Sequence, residues 1–328
     1  MPSTAANGYP VVGKINSLHI AVAVIRNAEH KILLSQRREG TAGAGLWEYP
    51  GGKREPAESI EQALKRELQE ELGITPVGPR PLIRIRHQYP DRHVLLDTWL
   101  VDEWLGEPQG LEGQELAWVE KEQLAKWDLL PANGPITQAA CLPEHYLITP
   151  DAGVNRDEFL NGFARSLRAG RRLLRLRAPS LDDADYQSLA AQCLALCRES
   201  GARLLLDRDA EMVEQLAADG LHLTAAALMA TDQRPAGMKL LAASCHDRKE
   251  LAKAQALGCD FAVLGAVQGT ASHPTATSLG WARAQALLDE ANLPVYAIGG
   301  MTEKDLEPAY WAGAQGIAAI RGLWVSND

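Results

Sequence analysis

Apolar and polar positions along this chain follow two different periods, and the organisation changes near Cys141. Residues 18–27, LHIAVAVIRN, are apolar and rich in β-branched side chains, which predicts a strand. A turn at NAEH and a second strand in KILLSQRR follow, then a glycine-rich loop, EGTAGAGLWEYPGGK, over 39–53. Ile60, Leu64, Leu68 and Leu72 recur every fourth residue, the spacing of a buried helical stripe. Ser59 with Gln62 three residues on predicts a capping box, and Gly73 predicts the helix end. LIRIRHQY and HVLLDTWLV read as strands around a turn, PDR, at 90–92. ELAWVEKEQLAKW reads as a strand and a short helix. Strands and helices do not alternate regularly in this half.

Beyond Cys141 they do. Strand candidates are YLIT (146–149), RLLRLR (172–177), RLLLD (203–207), LHL (221–223), KLLAA (239–243), DFAVLG (260–265), PVYAIG (294–299) and GIAAI (316–320). Helical patterns separate most of them, and QSLAAQCLALCRESG and RKELAKAQALG each end at a glycine. This alternation predicts a closed (β/α)8 TIM barrel. At roughly 180 residues it is compact beside the ~250 typical of that fold. An open doubly wound sheet is the alternative. The expected division is a flexible tail at 1–17, an α/β domain at 18–140 and the barrel at 145–325. The short linker CLPEHY leaves little room for independent tumbling.

Composition narrows the partners. With 33 basic and 42 acidic residues the formal charge is -9, which argues against a nucleic-acid polymer as ligand. An anionic small molecule is still compatible, because a divalent cation can bridge two anions. The five cysteines show no C-x-x-C spacing, so buried free thiols in a reducing compartment are expected. No signal-peptide pattern opens the chain, and no apolar run approaches the ~20 residues of a membrane span. A cytoplasmic protein is the expectation, with no membrane partner. Nothing in the sequence sets the oligomeric state.

The predicted helix carries an odd cluster. In RELQEELG (66–73), Glu67, Glu70 and Glu71 stand at i, i+3 and i+4, with no lysine between them. At about 100° per residue Glu71 projects between Ile60 and Leu64, inside the apolar stripe. A carboxylate there is partly desolvated and repelled by its neighbours, so its pKa should rise unless a cation offsets the field. The plain alternative is a solvated acidic face with one glutamate at its edge.

The surrounding residues decide between these readings. GGKREPAESIEQALKRELQEELGI fits G-x5-E-x7-R-E-U-x-E-E-x-G-U, with U aliphatic, at Gly52, Glu58, Arg66, Glu67, Leu68, Glu70, Glu71, Gly73 and Ile74. This is similar to the Nudix box, and the first half resembles a Nudix hydrolase. The resemblance implies an α/β/α sandwich with a mixed sheet. It also implies Mg2+ or Mn2+ held by Glu67, Glu70 and Glu71 with help from the Gly51 carbonyl, since hard oxygen ligands suit these ions. Arg66 would orient the carboxylates, and Glu58 would tie loop to helix. A further acidic ligand or base is expected from a loop, with Glu112 in LEGQE preferred over Glu115. Glu67 and Glu112 remain alternatives for the general base.

The likeness extends further. AVAVIRN, LWEYPGGK, RELQEELGITP, YPDRH, GEPQGLEGQE and PANGPI resemble, in order, the MutT-type 8-oxo-dGTP diphosphatases. Those enzymes hydrolyse the oxidised nucleotide to its monophosphate and pyrophosphate, with water attacking the β-phosphorus, so a role in nucleotide-pool sanitation is implied. By that match Asn133 would read the purine edge, since its amide offers an acceptor and donors to O6 and the protonated N7. A turn asparagine is the alternative. Arg38 would lie near the base and Arg92 near the nucleotide, unless both are surface arginines. Tyr49 stands where the family has phenylalanine, so its hydroxyl needs a partner. Trp47 is either core or a base platform. Another nucleoside diphosphate derivative is the alternative substrate.

The second half resembles thiamine-phosphate synthase and its non-synthase relatives, through YAIGG (296–300), GARLLLDRD, DGLHL, ASCHD and AGAQGIAAI. A thiazole-phosphate-like ligand is implied, with the Gly299 and Gly300 amides placed for phosphate. A strand-ending turn is the alternative for that pair. The departures matter. Pro179 replaces the lysine two residues after the arginine matched by Arg177. Leu206 replaces the asparagine before Asp207. HLTAAAL (222–228) lacks the second metal-binding aspartate. Such a barrel is expected to have lost synthase activity, leaving a ligand sensor, a scaffold or a thiamine-pathway role open. His246 and His273 are expected to line a pocket or to be structural.

Overall fold

The computed structural model describes residues 16–88, 92–153, 155–269 and 278–326. In the first half, β1 (Asn16–Ile25) is central. It pairs parallel with β7 (Arg92–Val101) and antiparallel with β4 (Gly51–Lys53), while β6 (Arg80–Gln88) closes the order β4-β1-β7-β6. A second sheet runs β3 (Trp47–Glu48), β2 (Ile32–Gln36), β9 (Leu116–Val119). A two-stranded ribbon joins β5 (Thr75–Val77) to β8 (Glu103–Leu105).

The unbroken apolar run of β1 has a direct cause: both of its faces are buried. Ala21, Ala23 and Ile25 pack with Leu64, Leu68 and Leu72 of α1 (Ile60–Leu72). Val22 and Val24 face the other way, into a core with Ile136 and Ala139 of α2 (Gly134–Cys141). The result is the expected sandwich around a mixed sheet. Helix α1 begins and ends as the sequence predicts, with a Ser59–Gln62 capping box and Gly73 in the left-handed region at φ 70°.

All eight predicted barrel strands are present and close in order: β10 (His145–Ile148), β11 (Leu173–Arg175), β12 (Arg203–Leu206), β13 (Gly220–Leu223), β14 (Leu240–Cys245), β15 (Phe261–Leu264), β16 (Val295–Ile298) and β17 (Gly316–Ala319). Between them run α3 (Arg156–Arg168), α4 (Asp183–Ser200), α5 (Ala210–Gln215), α6 (Ala225–Ala230), α7 (Arg248–Ala256), α8 (Gly280–Leu288) and α9 (Leu306–Trp311). Alternate strand residues explain the run-like pattern. Leu147, Leu174, Leu204 and Leu206 pack outward under the helices, while Tyr146, Leu173, Leu205, Phe261 and Tyr296 fill the interior. The closed barrel settles the alternative of an open sheet. The five cysteines are free and four are buried. Among the described residues no helix is long and apolar enough to cross a membrane.

The halves meet along β6, an edge strand. Asn292 substitutes for a neighbouring strand: its Oδ1 accepts from Arg86 N at 2.7 Å and its Nδ2 donates to Arg86 O at 3.0 Å. Arg84 bonds Asp289 at 2.7 Å, Trp99 meets Trp311 edge-on, and Arg80 lies over the Tyr310 ring. Such contacts blunt an edge that would otherwise offer unpaired backbone groups. Asn292→Ala removes two of these hydrogen bonds and is expected to cost ~1–2 kcal/mol of full-chain stability. An unchanged denaturation midpoint would count against this account of the junction.

Candidate active site

The acidic cluster is assembled by three pieces of backbone. Helix α1 supplies Glu67, Glu70 and Glu71. The turn into β4 supplies Gly51, whose N–H donates to Glu71 Oε2 at 3.1 Å. The loop before β9 supplies Glu112, and the end of the helix anchors that loop: Leu111 N and Gln114 Nε2 both donate to Glu71 O at 3.0 Å. Gln114 Oε1 in turn accepts from Glu112 N at 3.0 Å. Glu71, Glu112, Gly51 and Glu48 then line one polar pocket of about 190 Å3.

Arginines compensate most of this charge. Arg66 reaches Glu67 at 2.8 Å, Glu70 at 3.0 Å and Glu58 at 2.7 Å, and also donates to Lys53 O at 2.9 Å. Glu58 accepts from Glu55 N, tying loop to helix. Arg37 donates to both Glu48 oxygens, at 2.8 and 2.7 Å, and Arg38 bonds Glu112 Oε2 at 2.7 Å. Glu71 is different. Among the described residues no cation pairs with it. Burial, above all, pushes its carboxyl up to about 8, against the Gly51 hydrogen bond and with the negative charge of Glu67, Glu48 and Glu112 adding to the rise. Burial also raises Glu67 and Glu48.

These donors suit a hard divalent ion. All are oxygens, and one buried carboxylate lacks countercharge. Among the described residues no three acidic, histidine or cysteine side chains converge as a ready ligand set, and Glu67, Glu70 and Glu112 are instead engaged by arginines. Gly52 shows how closely the site is built: a Cβ there would stand 2.2 Å from the Glu67 carboxyl carbon.

A larger cleft of about 640 Å3 adjoins the acidic pocket and shares Arg37, Glu48 and Gly51 with it. Its wall includes Tyr49, His87, Val94, Leu96 and Asn133. Asn133 is only 5% exposed, and its side chain caps nothing although it precedes α2. Its Nδ2 has no partner among the described residues. Tyr49 finds its hydroxyl partner in Thr137 Oγ1, at 2.9 Å. Arg38 lies at the acidic pocket and is absent from the cleft lining, while Glu115 is exposed and lends its carbonyl to Gln36 N. Trp47 packs edge-on against Trp127 in the core. Arg92 opens β7, but its side chain lies outside the described residues. Sequence reasoning overlooked Arg37, Glu48 and Thr137. The alternation in β2 and β3, which pairs Ser35 with Glu48, was the available signal for Glu48.

In the barrel, Gly299 and Gly300 follow β16 at φ 117° and 64°, conformations that favour glycine. Both Asp207 oxygens have neighbours: Arg175 donates to Oδ2 at 2.9 Å, and the Tyr186 hydroxyl, its one hydrogen shared with Leu176 O at 3.0 Å, lies 3.1 Å from Oδ1. The pair is nearly buried, at 10% and 9% exposure, so the carboxylate is neutralised from within. A divalent ion does not fit there. His246 is exposed and pairs with Glu250, and His273 lies outside the described residues.

The first half is thus an α/β/α domain with an acidic, arginine-stapled helix beside a nucleotide-sized cleft, and the second is a (β/α)8 barrel. Comparison with known proteins identifies both. The NUDIX domain family matches residues 21–139, and the thiamine monophosphate synthase family matches 145–323. The 8-oxo-dGTP diphosphatase of Escherichia coli (strain K12) is 43% identical over 122 residues, covering 37% of this chain and 95% of the relative. A CTP pyrophosphohydrolase of the same organism is 41% identical, covering 36% and 87%. A thiamine-phosphate synthase of Chromobacterium violaceum is 35% identical, covering 56% and 89%. The chain belongs to the Nudix hydrolases through its first half and to the thiamine monophosphate synthase family through its second.

Gly52→Ala is expected to leave the fold intact, since the flexible end of Glu67 can move aside. It should cut hydrolysis by about 100-fold, the scale of losing one placed charge-stabilising group. Near-wild-type turnover with a folded protein would show that the Glu67 position is dispensable.

Proposed function

We propose that the Nudix half hydrolyses oxidised purine nucleoside triphosphates, 8-oxo-dGTP foremost, to the monophosphate and pyrophosphate, and so protects the nucleotide pool. The observation that carries the reading is Asn133: a residue lining a cleft joined to the acidic pocket, excused from capping, with a buried amide nitrogen that has no partner among the described residues. Such an amide can donate to O6 and accept from the N7–H that only the 8-oxo base presents. Buried unpaired polar groups discriminate strongly, because the wrong ligand leaves them unsatisfied. The similarity to 8-oxo-dGTP diphosphatases supports the same substrate.

Gly51, Glu67, Glu70, Glu71 and Glu112 would hold Mg2+ or Mn2+, which when bound polarises phosphoryl oxygens and makes water more acidic. Arg66 keeps Glu67 and Glu70 oriented, and Glu58 keeps Arg66 in place. Glu67 or Glu112 takes the proton from the attacking water. Its oxygen bonds to the β-phosphorus, the bridge to the α-phosphate breaks, and the monophosphate leaves. Arg38, swinging from Glu112, and Arg37 at the junction of the two pockets offer positive charge to the phosphate chain.

Pyrophosphate release should be at least about 10-fold faster in kcat/KM for 8-oxo-dGTP than for dGTP or CTP, given one extra hydrogen bond to a buried amide. Equal values for 8-oxo-dGTP and dGTP would refute the specificity, and a preference for CTP would favour the pyrimidine reading suggested by the second relative.

For the barrel we propose a phosphate-ligand or scaffolding role in place of synthesis. The internally neutralised Asp207 and the missing second acid support this. Full-length protein should form no thiamine phosphate from its two phosphorylated precursors above a no-enzyme control, and clear turnover would overturn the reading.

A further inference from the structure

Tyr49 and Thr137 stand 88 residues apart in sequence, yet their hydroxyls meet behind Asn133. Thr137 Oγ1 donates to Asn133 O at 3.1 Å, across one turn of α2. A hydroxyl has a single hydrogen, so once Thr137 spends it on that carbonyl, the 2.9 Å contact must be donated by the phenol. The order of donation is therefore Tyr49 to Thr137 to the Asn133 carbonyl. Burial pushes the Tyr49 phenol well above its ordinary range, so the donor stays protonated. The ring is 3% exposed and lies in the core beside α2, which makes it a rigid anchor.

We infer that Tyr49 and Thr137 are positioning residues for purine discrimination: their hydroxyl relay helps fix the backbone of Asn133, a residue lining the cleft, and with it the place from which its carboxamide reaches. This rests on Asn133 reading the base, as proposed above. Asn133 needs such a device because its side chain makes no cap bond and its Nδ2 is unpartnered among the described residues. The Cα–Cβ direction sets where its carboxamide can reach, and the backbone that fixes this direction is held at its N–H by Leu130 O at 2.9 Å and at its carbonyl by the relay. The relay also spans the site. Tyr49 lies two residues before Gly51, whose N–H holds Glu71, so the base-reading residue and the acidic pocket share one anchor. A phenylalanine at this position would keep the ring and break the relay at its first donor.

The test uses the full-length chain and steady-state pyrophosphate release, with the ratio of kcat/KM for 8-oxo-dGTP over dGTP as readout. Thr137→Val and Tyr49→Phe should each lower that ratio about 5- to 10-fold, the scale of one misplaced neutral hydrogen bond, with the loss carried by KM for the oxidised nucleotide. Thr137→Ser, which keeps the hydroxyl, should retain the wild-type ratio. If Thr137→Val does not fold, Tyr49→Phe carries the test. Ratios within twofold of wild type in the folded relay-breaking variants would overturn the relay, as would a Thr137→Ser protein as impaired as Thr137→Val. A wild-type ratio near one is a different failure: it would overturn the purine reading itself, and the relay's role with it.

Discussion

One constraint organises the first half of this molecule: helix α1 must supply both the apolar stripe that holds the sandwich together and the carboxylates of the site. Leu64, Leu68 and Leu72 are fully buried, and Glu71 projects beside them. A carboxylate there loses water on the same side that the leucines need to lose it. The neighbouring charges are settled one by one, with Arg66 on Glu58, Glu67 and Glu70, Arg37 on Glu48, and Arg38 on Glu112. Among the described residues the Glu71 carboxylate receives only a backbone N–H, so the unfavourable charge is concentrated on one group. That is the place where an added cation gains most, since attraction is least screened where water is least present.

The elements were largely legible because their signals are local. The ends of α1 could be read from Ser59, Gln62 and Gly73, residues that act on backbone within one turn. The eight barrel strands could be read from short apolar runs between helical patterns, since both faces of a parallel strand are covered. The glutamate cluster was legible for the same reason, as i, i+3 and i+4 are neighbours on any helix. What escaped depends on distance in sequence. Nothing near Thr137 announces Tyr49, and nothing near Arg86 announces Asn292, 206 residues on. Arg38 is held by Glu112, a partner 74 residues on that nothing near Arg38 announces. A long, mobile-tailed arginine pairs with whatever carboxylate its backbone brings near, and sequence does not encode that neighbour.

The two halves answer the problem of buried acidity in opposite ways. In the barrel, Asp207 is matched by Arg175 and Tyr186, both supplied by the chain, and the interior beyond is closed by Tyr146, Phe261 and Tyr296. A charge satisfied in that manner stabilises a fixed arrangement and leaves little for a ligand to improve. In the Nudix half, among the described residues, buried Glu71 pairs with no cation and the Asn133 Nδ2 has no hydrogen-bond partner. Incomplete pairing at a buried group costs free energy that a matching ligand can recover.

That difference bears on why the halves are joined as they are. The strand that meets the barrel, β6, is also a wall of the cleft. Arg86 is bonded through both backbone groups to Asn292, and the next residue, His87, lines the cavity that Asn133 faces. Arg84, two residues earlier, touches Asp289 on the barrel side and Asp97 on the sheet side, and Asp97 in turn meets His19 on β1. The barrel, in which Asp207 is paired from within, is thus held against the edge strand that walls the cleft. An edge strand free on one side can shift in register or fray, and a cleft walled by it would not hold its shape. With the edge paired, the cleft beside the acidic pocket has a wall that stays in place.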